Sequence, residues 1–161
     1  MKRSLLIAAV AFVAVGCATT ETRETLVPDP DGSYAGIDIN VGSELGGMPP
    51  DAQQRFEAEL TDALHDSGAF EQGGDLDLTW NVIRRDPGNR FVRWLVGGMG
   101  DGTSAYLVVE ADFSDRDGTH LGTIEVEGEI NGGAFGGGVD DAVEPVARDV
   151  ATYTIDTFAL D

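Results

Sequence analysis

The stretch Ala-Tyr-Leu-Val-Val-Glu-Ala-Asp-Phe at residues 105–113 decides the fold, because apolar and polar side chains alternate along it. Such alternation predicts a β-strand with one buried and one solvated face. Asp-Arg-Asp-Gly at residues 115–118 indicates a hairpin turn, and residues 123–130 alternate again. We therefore predict an antiparallel hairpin in which Phe113 opposes His120. Its solvated face is strongly acidic and carries Glu110, Asp112, Glu125, Glu127 and Glu129.

The segments outside this hairpin predict a single α+β domain over residues 34–161. Residues 34–41 and 76–82 alternate in the same way and predict two further strands. Helical spacing of apolar residues over 51–67 and 140–158 predicts two amphipathic helices. The order β-α-β-β-β-α, with one-sided strands, indicates a two-layer domain in which two helices cover one face of a mainly antiparallel sheet.

The N-terminus has the organisation of an export signal. Lys2 and Arg3 precede an apolar run over residues 5–15, which is too short to span a bilayer as a helix. The run ends in Ala-Val-Gly-Cys at residues 14–17, which resembles a bacterial lipobox. The resemblance implies that residues 1–16 are a lipoprotein signal peptide and that Cys17 receives a diacylglyceryl thioether. The alternative is an ordinary secretory signal followed by a chance cysteine.

The residues after the lipobox predict an anchored tether. Residues 17–33 contain few large apolar side chains, so we predict a flexible, lipidated tether between the bilayer and the domain. Acyl chains on Cys17 would make the membrane attachment stable. Ala18 stands where an Asp would favour retention in the inner membrane, so we expect the outer membrane, with the domain facing the periplasm.

The charge and the cysteine content exclude several classes of protein. The 161 residues carry a formal net charge of −19 and contain one Cys. Nucleic acids and anionic head groups are bound by basic surfaces, so neither is an expected partner. One Cys cannot form an internal disulfide bond or a cysteine-based zinc site.

Two glycine-rich clusters are predicted to meet at one end of the hairpin. We interpret them as structural, because glycine permits close backbone approach and positive φ. A phosphate loop is disfavoured, since no Lys follows either cluster in the Walker position and Asp140 and Asp141 open the following helix. The predicted structural glycines are Gly97, Gly98, Gly100, Gly133, Gly136 and Gly137.

A cluster of arginines is the main candidate contact site. It lies beside Trp94 and comprises Arg84, Arg85, Arg90 and Arg93. One interpretation is that these side chains pair with the protein's own carboxylates. The other is a contact patch for a partner, because Arg and Trp are frequent anchors of protein interfaces.

No sequence pattern indicates a catalytic or metal site. Asp115–Gly118 resembles part of a calcium loop, but Phe113 and Ile124 occupy positions where such a loop has ligands. His65 and His120 have no Cys partner and no His four residues away. We therefore expect no metal, no cofactor and no enzymatic activity.

The chain is similar to a known bacterial lipoprotein family over residues 34–158, and most clearly over 93–158. The features are Arg-Trp-Leu-Val-Gly-Gly-Met-Gly at 93–100, the strand at 105–113, Gly-Ala-Phe-Gly-Gly at 133–137 and a terminal helix. Together they resemble domain-of-unknown-function family 4410, with Gly138 where a Ser is frequent. The family implies no activity and no cofactor.

These observations favour a non-enzymatic outer-membrane lipoprotein that acts as an interaction or assembly module in the periplasm. Its expected partners are the membrane, through the lipid anchor, and an envelope protein or a second copy of the chain. The alternative is a module that binds a small ligand or a divalent cation on the acidic sheet face.

Overall fold

The computed structural model describes residues 17–26, 33–86, 105–131 and 139–160, which form one sheet and two helices. The strands are β1 Cys17–Leu26, β2 Gly36–Leu45, β3 Glu71–Gln72, β4 Leu76–Asp86, β5 Ala105–Asp115 and β6 His120–Asn131. The helices are α1 Pro50–His65 and α2 Val143–Phe158, and a 3₁₀ turn at Val139–Ala142 leads into α2. The predicted α+β class is confirmed, whereas the predicted order lacks β1 and β3.

The sheet is mixed, with the strand order β1-β6-β5-β4-β2-β3. Strands β1, β6, β5 and β4 pair antiparallel, but β4 and β3 each pair parallel to β2. The mainly antiparallel prediction is therefore correct for one part of the sheet only. The parallel pair follows from α1, because a helix between two neighbouring strands returns the chain to the end of the sheet where the first strand began.

The predicted flexible tether is wrong for residues 17–26, which form the edge strand β1. This strand runs antiparallel to β6, with Cys17 opposite Asn131 and Thr22 opposite Val126. Its main-chain groups pair with β6 although its sequence has little apolar character, because β6 would otherwise be an open sheet edge. Residues 27–32 of the predicted tether lie outside the described residues.

The β5–β6 hairpin is present, but its register differs from the prediction by two residues. Phe113 opposes Gly122 instead of His120, and Val109 opposes Val126. Two features contribute one residue each. Ser114 pairs with His120 instead of Thr119, so the turn is one residue longer than predicted, and Leu121 is an extra residue on β6 that forms a bulge beside the turn. Because side chains alternate with a period of two, a shift of two residues leaves every side chain on its predicted face.

Both helices pack on the same face of the sheet and bury the core. The ring of Phe56 on α1 lies 4.5 Å from the ring of Trp80 on β4, measured between centroids. The ring of Phe158 on α2 lies 4.9 Å from that of Phe113 on β5. The predicted apolar stripe of α2 is confirmed, since its members are all buried: Val143, Val146, Ala147, Val150, Thr154 and Phe158.

Candidate interaction surface

The face of the sheet opposite the helices is uncovered within the described part of the chain, and we call it the open face. On β5 and β6 its polar positions alternate with fully buried residues such as Val109 and Ile124. The predicted acidic surface is confirmed there, and the neighbouring strands extend it. Its carboxylates outnumber its guanidinium groups: Glu21, Asp38, Glu44, Asp77, Glu110, Asp112, Glu125, Glu127 and Glu129 against Arg23 and Arg84.

Glu110 lies at the centre of this surface and is half-buried. It pairs with Asn81 on β4 and with Glu125 on β6. The pKa of its carboxyl is raised, first by burial and then by the negative charges of Asp112, Glu125 and Glu44. The ionised form of Glu110 therefore opposes folding, because the unfolded chain solvates the same charge better.

Replacing Glu110 with Gln should raise the thermal midpoint near pH 7. A carboxyl whose pKa is higher in the fold contributes stability below its unfolded pKa, and this contribution is lost as the pH rises through the folded value. The gain should therefore disappear below the ordinary glutamate pKa of 4.5. Thermal melts of the two chains across this range measure the difference. Glu71→Gln at an exposed position serves as the control. An equal rise in its thermal midpoint would contradict the explanation from the burial of Glu110.

The two described residues of the arginine cluster lie on opposite faces of the sheet. Arg85 makes a salt bridge of 3.6 Å with Asp140 beside α2, and its side chain is 20% exposed. Arg84 lies on the open face, where its guanidinium carbon is 5.2 Å from the centroid of the Tyr106 ring. Arg85 thus pairs with a carboxylate of the chain itself, as one of the two interpretations expects, whereas the contact of Arg84 is with an aromatic ring. Their role in binding a partner stays a prediction.

The other predicted site residues lie outside the described residues. They are Arg90, Arg93, Trp94, Gly97, Gly98, Gly100, Gly133, Gly136 and Gly137. The predicted meeting of the two glycine clusters lies there as well.

Asp112, Thr123 and His120 meet on the open face but lack the order of a catalytic triad. The Thr123 hydroxyl donates to Asp112 Oδ1 at 2.6 Å, and His120 Nε2 lies 2.9 Å from the same hydroxyl oxygen. In a triad the histidine stands between the carboxylate and the nucleophile and removes the proton of the nucleophile. Here the hydroxyl stands in the middle and its proton points to the carboxylate. The arrangement therefore does not activate Thr123.

The loop at Asp115–Gly118 is a hairpin turn, as predicted. Asp115 Oδ1 accepts hydrogen bonds from the backbone N–H groups of Asp117 at 3.0 Å and Thr119 at 2.8 Å. These bonds lower the pKa of the Asp115 carboxyl, with the Thr119 N–H as the largest cause. The left-handed backbone of Gly118, with φ of 81°, closes the turn. The Asp115 carboxylate therefore serves the turn itself.

Sequence reasoning missed two contributors to the open face. Glu44 follows a stretch of β2 in which the register with β4 shifts, and its backbone N–H lies 3.3 Å from Asn81 Oδ1. Thr19, Glu21 and Arg23 enter the surface through β1. The available signal for this strand was its threonine content, with Thr at residues 19, 20, 22 and 25, since Thr favours strands.

No helix in the described ranges is long and apolar enough to cross a bilayer.

Fold and surface together define a class: a two-layer α+β domain with two helices on one face of a mixed sheet and a polar, acidic open face. The model of the family described as domain of unknown function DUF4410 matches residues 37–134, which is more than half of the chain. The chain therefore belongs to this family. No curated protein matches it.

Two solved structures with a similar fold are compared with this chain. Both are dodecamers of PelC from Paraburkholderia phytofirmans, one of them a point variant. The variant is 16% identical to this chain, with a TM-score of 0.52, and the other is 14% identical, with a TM-score of 0.51. Each comparison covers 89% of this chain and 100% of the other. At these identities the likeness shows the fold.

Proposed function

We propose that this protein is a non-enzymatic outer-membrane lipoprotein, anchored through Cys17, whose domain acts as an assembly module in the periplasm. The observation that carries the proposal is the open face: a broad, charged sheet surface that neither helix covers. Surfaces of this kind suit recognition, because arrays of charge determine which partner is attracted and which is repelled.

The charge of the open face determines how copies of the chain could associate. Two acidic faces repel each other, so a symmetric dimer that pairs this face with itself is disfavoured. Association through the open face would then join it to a different surface of the next copy. Such contacts close into rings when the rotation between copies allows it. The dodecameric state of the PelC structures with this fold supports an assembly of this type.

The mass of the unlipidated Cys17→Ser chain tests assembly. Light scattering should show species larger than the monomer that grow with protein concentration. Charge reversals on the open face, Glu110→Lys and Glu127→Lys, should change the association constant by about tenfold or more, roughly 1.4 kcal/mol. The matched control is Asp156→Lys on the exposed side of α2, which should change it little. A monomeric mass at every concentration would contradict self-assembly.

The anchor is tested by the Cys17→Ser substitution in the full chain. We expect the substituted chain to leave the membrane fraction and to appear as a soluble periplasmic species or as an unprocessed precursor, because the acyl chains that hold it to the bilayer are absent. Fractionation of the cell envelope and the intact mass of the protein measure both effects. Recovery of a processed Cys17→Ser chain in the outer membrane contradicts the lipobox interpretation.

The alternative, a binding module for a divalent cation or a small ligand, has weaker support. Within the described ranges, no group of three or more His, Cys, Asp or Glu side chains could hold a metal ion. The cleft between α1 and the 3₁₀ turn is lined largely by carboxylates, and the nearby Arg148 pairs with Glu59 and Glu144 at 2.6 Å each. Few apolar side chains line this cleft, whereas pockets for small molecules are lined mainly by apolar and aromatic groups.

A further inference from the structure

Cys17 lies in the sheet, and this placement has a consequence for the orientation of the anchored domain. Cys17 is the first residue of β1 and stands opposite Asn131, the last residue of β6. The end of the sheet at which they lie also contains Ala105, where β5 begins, and Asp86, where β4 ends. We call it the anchor end. The Asp115–Thr119 turn lies at the opposite end, where Leu76 pairs with Asp115.

The pairing between β1 and β6 begins at Cys17 itself, so no unpaired residue separates the anchor from the sheet. Pairing continues from Cys17 to Leu26 with one irregularity, between Glu24 and Leu26. On the helix side, the Tyr153 hydroxyl of α2 donates to Glu24 Oε1 at 3.1 Å and adds a side-chain contact to this strand. An acylated residue at the start of such a strand holds the end of the sheet itself at the bilayer surface, with no tether between the two.

We infer that the partner of the anchor end is the lipid surface itself: the domain stands with this end against the bilayer and points the Asp115–Thr119 turn into the periplasm. This inference rests on the proposed lipidation of Cys17. With a net charge of −19, the protein has no general attraction to anionic lipids that could orient it otherwise. The geometry of the anchor decides the orientation.

The side chains of Arg84 and Tyr106 at the anchor end are suited to a place beside the bilayer. Arg84 covers the ring of Tyr106, whose hydroxyl donates to Glu129 Oε1 at 3.3 Å. Tyrosine and arginine are both favoured at the boundary between lipid and water, where an apolar body and a polar tip are accommodated together. The hydroxyl bond to Glu129 also holds one carboxylate of this end within the protein surface.

Fluorescence quenching in vesicles tests the orientation. Cys17 is the only cysteine and its thiol is blocked by the lipid, so Glu129→Cys and Asp117→Cys each provide one labelling site in the full, lipidated chain. Glu129 is remote from Cys17 in sequence and near it only through the β1–β6 register. Along β6 it stands about 30 Å from the turn that contains Asp117, at about 3.3 Å per residue.

The labelled chains are reconstituted into vesicles of phosphatidylethanolamine and phosphatidylglycerol that contain nitroxide-labelled lipid. We expect quenching of the Glu129 probe to exceed that of the Asp117 probe by about threefold or more, because nitroxides act over distances well below the length of the strand. Equal quenching, or stronger quenching at Asp117, overturns the inference. A chain that fails to float with the vesicles contradicts the proposed anchor and the inference with it, whereas a floating chain with equal quenching contradicts the orientation alone.

A disulfide between β1 and β6 checks that the strand stays in the sheet when the chain is anchored. Thr19 and Glu129 are opposed, and opposed residues in antiparallel strands have the Cα separation that a disulfide requires. The lipidated Thr19→Cys/Glu129→Cys chain should therefore form an intrachain disulfide in vesicles as it does in detergent. Formation in detergent alone would mean that β1 leaves the sheet at the membrane, which also overturns the inference.

Discussion

Replacing Trp80 with Ala should lower the free energy of unfolding by about 3–5 kcal/mol, the range for truncation of a large buried aromatic side chain. Trp80 is 0% exposed and is among the largest fully buried side chains of the core. Its ring contacts that of Phe56, so the cavity would open between β4 and α1. Urea denaturation of the Cys17→Ser chain, with and without the substitution, measures the loss.

Trp80→Phe is the matched control for this prediction. The indole Nε1 of Trp80 is buried and has no hydrogen-bond partner among the described residues, so Trp80→Phe removes no hydrogen bond to them and retains much of the ring packing. We expect it to cost clearly less than the Ala variant. Equal losses in the two variants would mean that the indole, and not the filled volume, stabilises this part of the core.

A side chain at Gly128 should be nearly as damaging, for the opposite reason. Gly128 is buried on β6 beneath α2, where an added Cβ would lie 2.5 Å from Val146 Cγ2 and 3.1 Å from Ala142 Cβ. The helix would have to move away from the sheet, and overpacking of a core costs about 1–3 kcal/mol, occasionally more. We expect Gly128→Val to lie at or above the upper end of this range and Gly128→Ala near its middle.

A double-mutant cycle identifies the cause of the loss at Gly128. Val146→Ala removes the nearest atom, so Gly128→Ala should cost less in the Val146→Ala background than in the parent chain. Strictly additive losses in urea denaturation would exclude the contact with Val146 as the reason for a glycine at this position.

The acidic open face was predictable from the sequence because it depends only on the alternation of side chains between the two faces of each strand. Glu110 and Glu125 stay on the solvated face whether Phe113 opposes His120 or Gly122, since both registers preserve the alternation. The buried stripe of α2 was predictable for a similar reason, because its period of about 3.6 residues is a local property. The raised pKa of Glu110 was not, because its largest cause is burial, to which the charges of Asp112, Glu125 and Glu44 add, and burial depends on how the strands pack.

What the sequence by itself determined is therefore the local pattern: the α+β class, the two amphipathic helices, the acidic face of the hairpin and the turn at Asp115–Gly118. Tertiary structure decided the rest. The longer turn and the bulge at Leu121 together shifted the register by two residues, and α1 made β2 and β4 parallel. Residues 17–26 became a strand although they present little apolar surface, because the open edge of β6 supplies main-chain partners. Pairing at an edge depends on the neighbouring strand, so the threonines of residues 19–25, although they favour a strand, could not by themselves show that this segment pairs with β6.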